Sequence, residues 1–185
     1  MMMSANRSVS VIIPTHNRAD LLCRAVQSCL EQSACLEVIV VDDGSNEPIE
    51  ATLRSAFPEL IQESVPPPKL LYFRQDNQGA CVARNLGLEK AAGEYVKFLD
   101  SDDELLPETL IQEITCFEEH DAEVVVTGWK EQRFRADGTP VPGTEKFVSA
   151  PELGRGIDDM LLGNGPSTSA ALYKRSFIQE LRWYL

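Results

Sequence analysis

Apolar and polar positions follow two rhythms along this chain, and each change of rhythm marks an element. "SVSVIIP", residues 8–14, is a β-branched run stopped by Pro14, and "ADLLCRAVQSCLEQS" then carries Leu21, Leu22, Ala25, Val26, Cys29 and Leu30 at helical spacing. That is strand, short loop, helix. The unit repeats, with "LEVIVVDD" as a second strand and a short helix within "EPIEATLRSAF". A connector, "ESVPPPKL", comes next, its three consecutive prolines excluding helix and central strand alike. "KLLYFRQD" predicts a third strand, "GACVARNLGLEKA" a helix and "EYVKFLD" a fourth strand; a helix runs from about Pro107 to Glu119 and "AEVVVTGW" is a fifth strand.

Strands alternating with helices predict an α/β fold: a mostly parallel central sheet with right-handed crossovers, flanked by helices on both faces. The near-continuous Val/Ile/Leu runs suit strands covered on both sides. Ligands of such sheets sit beyond the carboxyl ends of the strands. After Trp129 the alternation loosens through "KEQRFRADGTPVPGTEKF", where "ADGTP" reads as a hairpin turn. "LLGNGPSTSAALYKR" offers a loop at Gly163, Asn164, Gly165 and Pro166 and an alternating strand from Ser167 to Tyr173. With no repeat, low-complexity tract or second domain in view, residues 1–185 read as a single domain.

Composition narrows the chemistry. Hydrophobic residues at 43% and charged residues at 25% suit a soluble domain with a real core. Acids outnumber bases 29 to 17, a formal charge of −12, which excludes a nucleic-acid protein that works by neutralising phosphates. An anionic ligand remains open, particularly through a divalent cation. No apolar run approaches the roughly 18 residues of a transmembrane span, and the opening residues lack a signal-peptide core. The expected location is cytoplasmic, with peripheral contact at the inner face of the membrane left open. Cys23, Cys29, Cys35, Cys81 and Cys116 are odd in number and form no CxxC pair, so they read as reduced thiols, mostly in the core. His16 and His120 are the only histidines, so a bound metal would need carboxylate oxygens.

Two acid clusters end apolar runs. Asp100, Ser101, Asp102 and Asp103 directly follow "YVKFL", and three neighbouring carboxylates repel one another unless solvated, protonated or bridged. Mg²⁺ and Mn²⁺ favour such oxygen donors, completed by phosphate and water. A simpler alternative is that Asp103 or Glu104 caps the next helix. Asp42 and Asp43 close the second strand; they read either as a turn cap or as acceptors for a nucleobase imide or ribose hydroxyl. Together the clusters point to a nucleotide beside a metal-bound diphosphate. Asn77 to Gly79 give a polar approach to the third helix, with Gly79 either allowing close backbone approach or simply starting that helix. Arg84 reads as a fixed cation for phosphate, a fork for a base, or a surface ion pair.

In this order, "SVIIPTHNRADLLCRAVQSCLEQS", "EVIVVDDGS", "NQGACVARNLGLEKAAGEYVKFLDSDDELLPETL" and, more loosely, "STSAALYKRSFI" resemble the family 2 glycosyltransferases of the GT-A fold. The resemblance implies a Rossmann-like nucleotide half and an inverting transfer from a nucleoside diphosphate sugar, a UDP-sugar first among donors, to a glycan or lipid-linked acceptor hydroxyl. By position, Pro14, Thr15 and Asn17 would form the nucleotide loop and Asp43 would meet the base with Asp42 as its neighbour. Arg84 would face the base or diphosphate, and Asn77 and Gly79 would border the nucleotide. Asp100 and Asp102, flanking Ser101, would be the DxD pair, with Asp102 first for direct coordination of Mn²⁺ or Mg²⁺ and Asp100 for ribose or metal. Asp103 would support the metal from behind or cap a helix.

On the same resemblance, residues 1–128 would be the donor half and 129–185 the start of an acceptor half, truncated before the motif that carries the catalytic base. That base is expected beyond Leu185; Asp158 and Asp159 come too early in the order, and Glu180 reads as a surface helix residue. Polysaccharide or cell-wall synthesis is a family-level expectation, and a homo-oligomer is left open. Trp129, Trp183 and Tyr184 are candidates for stacking on sugar rings, or for core or interface packing.

Three rivals were weighed. A nicotinamide oxidoreductase needs a glycine-rich turn after the first strand, where this chain has "PTHNRAD". A phosphoacceptor receiver domain would need its acidic pair after the first strand. The serious alternative is a non-catalytic nucleotide-sugar binding or assembly module that lacks the base.

Overall fold

The computed structural model describes residues 7–59, 69–120, 122–135, 138–150 and 167–181. The triple proline, part of the "ADGTP" turn, the loop Gly163–Pro166, Asp158, Asp159, Trp183 and Tyr184 lie outside the described residues.

The first four strand-and-helix units form nearly as the pattern predicts: β1 (Val9–Thr15), α1 (Ala19–Leu30), β2 (Cys35–Asp43), α2 (Ile49–Ala56), β3 (Lys69–Gln75), α3 (Ala80–Lys90), β4 (Tyr95–Phe98) and α4 (Thr109–Glu119). Three short strands follow, β5 (Val124–Val126), β6 (Trp129–Glu131) and β7 (Lys146–Val148), then a single 3-10 turn (Thr168–Ala170), β8 (Ala171–Lys174) and α5 (Arg175–Leu181). The main sheet has the order β3-β2-β1-β4-β8-β5. Its β3, β2, β1 and β4 run parallel, whereas β8 is antiparallel to both β4 and β5.

Every residue of β1 is buried, as a strand covered on both faces requires. The period of two sorts its side chains: Val9, Val11 and Ile13 join Val38, Val40 and Tyr95 in a core roofed by α1, α2 and α4. Ile12, Ile39, Val41, Val96 and Phe98 face the other way, onto Ala83 and Leu88 of α3 and Ile178 of α5. Helix α3 lies so close to β1 that a Cβ at Gly87 would stand 2.3 Å from Ile12 Cγ2. This contact fixes the height of α3, and with it Arg84, above the strand ends.

One charged pair is sealed under the sheet. Lys97 Nζ donates to Glu113 Oε1 at 2.6 Å, with side-chain exposures of 1% and 0%. The same Oε1 accepts from Thr127 Oγ1 at 3.1 Å, so α4 and the end of β5 are tied to the strand that leads into the acid cluster. Burial, the larger influence, pushes Lys97 down despite Glu113, and it pushes Glu113 up despite Lys97.

The structure corrects three expectations. "AEVVVTGW" is not one strand: β5 stays in the main sheet while Trp129 opens β6, which pairs with β7 in a separate two-stranded sheet. Gly128 makes the break, since a Cβ there would be 2.7 Å from the Val148 carbonyl oxygen. The run from Ser167 to Tyr173 begins as a 3-10 turn because the Ser167 side chain accepts from the Ser169 N–H, a local bond that competes with the ladder. The cysteines are all unbridged, but only Cys29 and Cys35 are buried, and Cys23, Cys81 and Cys116 are half-buried. Burial raises the thiol of Cys35 to about 12 and that of Cys29 well above its ordinary value, so both are inert core groups. Glu180 is exposed on α5, as expected.

Candidate functional site

The parallel strands β1, β2 and β4 end on one edge, and an open cleft of about 440 Å³ lies there. Pro14, Thr15, His16 and Arg18 line it from the end of β1, Asp43 from β2, Ala80 and Arg84 from α3, and Asp100, Ser101 and Asp102 from the turn after β4. Of the residues nominated from sequence, Pro14, Thr15, Asp43, Arg84, Asp100, Ser101 and Asp102 converge there. Asn17, Asp42, Asn77 and Gly79 are not among its lining residues. His16, Arg18 and Ala80 were not nominated.

The two aspartates at the end of β2 have separate tasks. Asp42 is fully buried; its carboxylate accepts from Ser45 N–H at 2.8 Å, Tyr72 O–H at 2.7 Å and Arg74 Nη1 at 2.6 Å. Burial alone would raise its pKa, but the Ser45 and Tyr72 hydrogen bonds and the Arg74 charge outweigh it and hold the carboxyl below its ordinary value of 3.8. Burial and the bond to Asp42 carry Tyr72 up to about 12. Asp43 accepts from Gln75 Nε2, Gln78 N–H and Gly79 N–H, each at 2.8 Å, and so ties β2 to the approach to α3. Asp42 therefore does serve as a turn cap, through Ser45 N–H, while Asp43 holds the segment that leads into α3 and also borders the cleft. Gly79, at φ 91°, is the residue before α3 and its N–H is one of these donors.

The loop after β1 is braced by Asn17. Its N–H donates to Ser45 Oγ at 2.9 Å and its Oδ1 accepts from Asn46 N–H at 2.7 Å, joining the loops after β1 and β2. His16 Nδ1 lies 2.9 Å from the Asp43 carbonyl oxygen, which can only accept, so Nδ1 bears the proton and Nε2 accepts from Asn17 Nδ2 at 2.8 Å. The imidazole is thereby held in one orientation on the cleft wall.

The turn after β4 is closed by Asp103 N–H donating to the Asp100 carbonyl at 2.9 Å. Ser169 grips it from the 3-10 turn: its Oγ accepts from Asp100 N–H at 3.1 Å and donates to Asp103 Oδ2 at 2.5 Å. Asp103 thus does not cap α4; the residue before that helix is Glu108, in left-handed conformation with no side-chain cap bond. Burial first, then the charges of Asp100 and Asp102, raise Asp103 against the opposing effect of Ser169. Asp100 pairs with Arg84 and Asp102 with Arg18, each at 2.6 Å.

For a divalent cation the donor chemistry is suitable. Asp100 and Asp102 present carboxylates on the open cleft wall with side-chain exposures of 37% and 46%. Among the described residues no cluster of three or more ligating side chains exists. Two carboxylates match the donor set of a cation that takes one or two protein carboxylates and fills its remaining positions with phosphate and water.

The sequence pattern of a known family matches residues 10–182, that of glycosyl transferase family 2. This chain belongs to that family. A Bacillus subtilis glycosyltransferase, provisionally assigned by its name to teichuronic acid biosynthesis, is 37% identical over 145 residues, covering 78% of this chain and 53% of its own. An uncharacterised glycosyltransferase from Nostoc is 31% identical over 179 residues, covering 94% and 52%. The family 2 chain thus spans about half the length of these relatives. Among solved structures, S. aureus TarS is 25% identical with a TM-score of 0.62, covering 94% of this chain and 29% of that one. A mannosyltransferase from Pyrobaculum calidifontis, solved with GDP-Man and Mn²⁺, is 20% identical with a TM-score of 0.64, covering 96% and 47%. The sheet, its helices and these neighbours identify the fold as GT-A. No helix among the described residues is long and apolar enough to cross a membrane.

Proposed function

We propose that this family 2 chain carries the donor site of an inverting glycosyltransferase, which moves a sugar from a nucleoside diphosphate sugar to an acceptor hydroxyl. The observation that carries the reading is the convergence of the end of β1 with its following loop, the end of β2, helix α3 and the acid turn after β4 on one cleft. Pro14, Thr15 and Asp43 would border the nucleoside, with Asn17, Asp42, Asn77 and Gly79 fixing the loops that present them. Arg84 and the acid turn would receive the diphosphate and sugar. Asp100 and Asp102 would hold Mn²⁺ or Mg²⁺, which when bound neutralises charge on the diphosphate leaving group.

The chain's own contribution is positional. Arg84, locked against Asp100 at 2.6 Å with an 11% exposed side chain, gives a fixed positive charge at the diphosphate end. Attack by the acceptor on the anomeric carbon from the face opposite the diphosphate, in one displacement, inverts the configuration; no base is nominated among the described residues. Residues 1–128 would serve the donor and 129–185 would begin the acceptor side, with the acceptor a glycan or lipid-linked hydroxyl and a role in polysaccharide synthesis.

Calorimetric titration with UDP, GDP and UDP-sugars, with and without Mn²⁺, tests the reading; these probes are chosen because compared structures hold UDP-GlcNAc in one case and GDP-Man in the other. Metal-dependent binding that Asp102→Ala abolishes supports it. Failure of every nucleotide to bind the wild-type chain refutes it.

A further inference from the structure

The two acids of the β4 turn that line the cleft are held by arginines from opposite sides, and the two pairs differ in kind. Arg84 comes from α3 and its side chain is only 11% exposed, although its partner Asp100 is 37% exposed. Arg18 comes from the loop between β1 and α1, and its pair with Asp102 stands in solvent, the side chains being 50% and 46% exposed. Exposed ion pairs contribute little, so the second pair is easily exchanged for a better partner, while the buried Arg84 side chain keeps the first in place.

The charge balance of the cleft says what the better partner is. Among the described lining residues the cations are Arg18 and Arg84, set against Asp43, Asp100 and Asp102. Asp43 is satisfied by three donors, and both ring nitrogens of His16 already have partners in Asp43 and Asn17. A diphosphate brought beside Asp100 and Asp102 meets like charge, and Arg18 is by far the more exposed of the two lining cations, 50% against 11% for Arg84. Its guanidinium carries five donors in a fork that suits phosphate oxygens.

On the donor-site reading above, we propose that Arg18 is a diphosphate-binding residue held in waiting by Asp102. On donor binding its guanidinium exchanges the Asp102 carboxylate for diphosphate oxygens, and Asp102 is released to the divalent cation. Arg18 therefore acts with opposite sign on two ligands: it competes with a cation that arrives alone and assists a diphosphate. An arginine that merely braces the loop would not separate the two.

The test is calorimetry on wild type, Arg18→Gln and Arg18→Lys with Mn²⁺ alone, then with UMP, UDP, GMP and GDP in the presence of Mn²⁺. In Arg18→Gln, Mn²⁺ alone is expected to bind about 3-fold more tightly, from loss of an exposed competing ion pair. The preferred nucleoside diphosphate should bind roughly 10-fold more weakly, from loss of a charge-assisted bond, and its monophosphate should stay within about 2-fold. Arg18→Lys should recover most of the diphosphate loss. Weakening of both metal and diphosphate, tightening of both, no change in either, or equal loss of mono- and diphosphate each overturns the proposal while leaving the donor site standing. If the wild-type chain binds none of the four nucleotides, the donor-site reading fails and this one falls with it.

Discussion

Glu113→Ala is expected to be among the most damaging single changes in this chain, although Glu113 touches no part of the cleft. Its carboxylate is 0% exposed and Oε1 accepts from both Lys97 Nζ and Thr127 Oγ1. Removing it leaves an ammonium 1% exposed inside the sheet with no counter-charge, whereas Thr127 keeps the Ala170 carbonyl at 3.2 Å. Breaking a buried pair from one side costs about 3–5 kcal/mol, a large part of a domain's stability. Replacing both partners by apolar residues of similar size removes the stranded charge as well. Lys97→Met with Glu113→Leu is therefore expected to recover most of the loss, to within about 1 kcal/mol of wild type or better. Urea unfolding of wild type, both single variants and the double variant at pH 7 gives the coupling directly. A Glu113→Ala cost below about 1 kcal/mol, or a double variant as unstable as the worse single one, would refute the claim that desolvated charge dominates here.

Other consequences can be checked with the same material. Asp42 has a folded pKa below 3.8, so its contribution is full above that value and is lost as pH falls through the folded pKa. Asp42→Asn should accordingly be less stable than wild type at pH 7, and the gap should close on acidification from pH 4 downward; a gap independent of pH would contradict this. Ser169→Ala deletes both bonds that grip the acid turn and should lower stability by about 1–2 kcal/mol, with a larger loss for a nucleoside diphosphate than for its monophosphate; Ser169→Thr should retain the preference. Gly87→Ala puts a carbon 2.3 Å from Ile12 Cγ2 and should cost about 1–3 kcal/mol by thermal denaturation, since both elements are closely packed.

What sequence could reveal here depended on how local the cause was. Strands and helices up to α4 followed from periodicity because the central strands β1, β2 and β4 are buried on both faces and read as near-continuous apolar runs. Asp42 and Asp43 are identical in sequence terms, yet successive strand positions point to opposite faces, so one is sealed under Tyr72 and Arg74 and the other borders the cleft. Nothing in "VVDDGS" states which is which. Arg18 escaped notice because its partner lies 84 residues away, and His16 because its ring is defined by a backbone oxygen of another strand. A signal for the buried pair did exist: Lys97 inside "YVKFL" is a charge in a fully apolar strand, and Glu113 inside "LIQEITCF" interrupts an apolar helix face.

The position of β8 has a consequence for how the molecule is made. Emerging from the ribosome, β1 to β4 can pair as soon as each crossover helix follows, but β5 must wait for a neighbour that is synthesised about forty-five residues later and slots between it and β4. Until then the flank of β4 is an open edge, the kind of surface that invites wrong pairing. Ser169 arrives in the same few residues as β8. The grip on the acid turn is thus completed by the event that fills the gap between β4 and β5, so a nascent chain completes the wall of this cleft late, and only when β8 has found its slot.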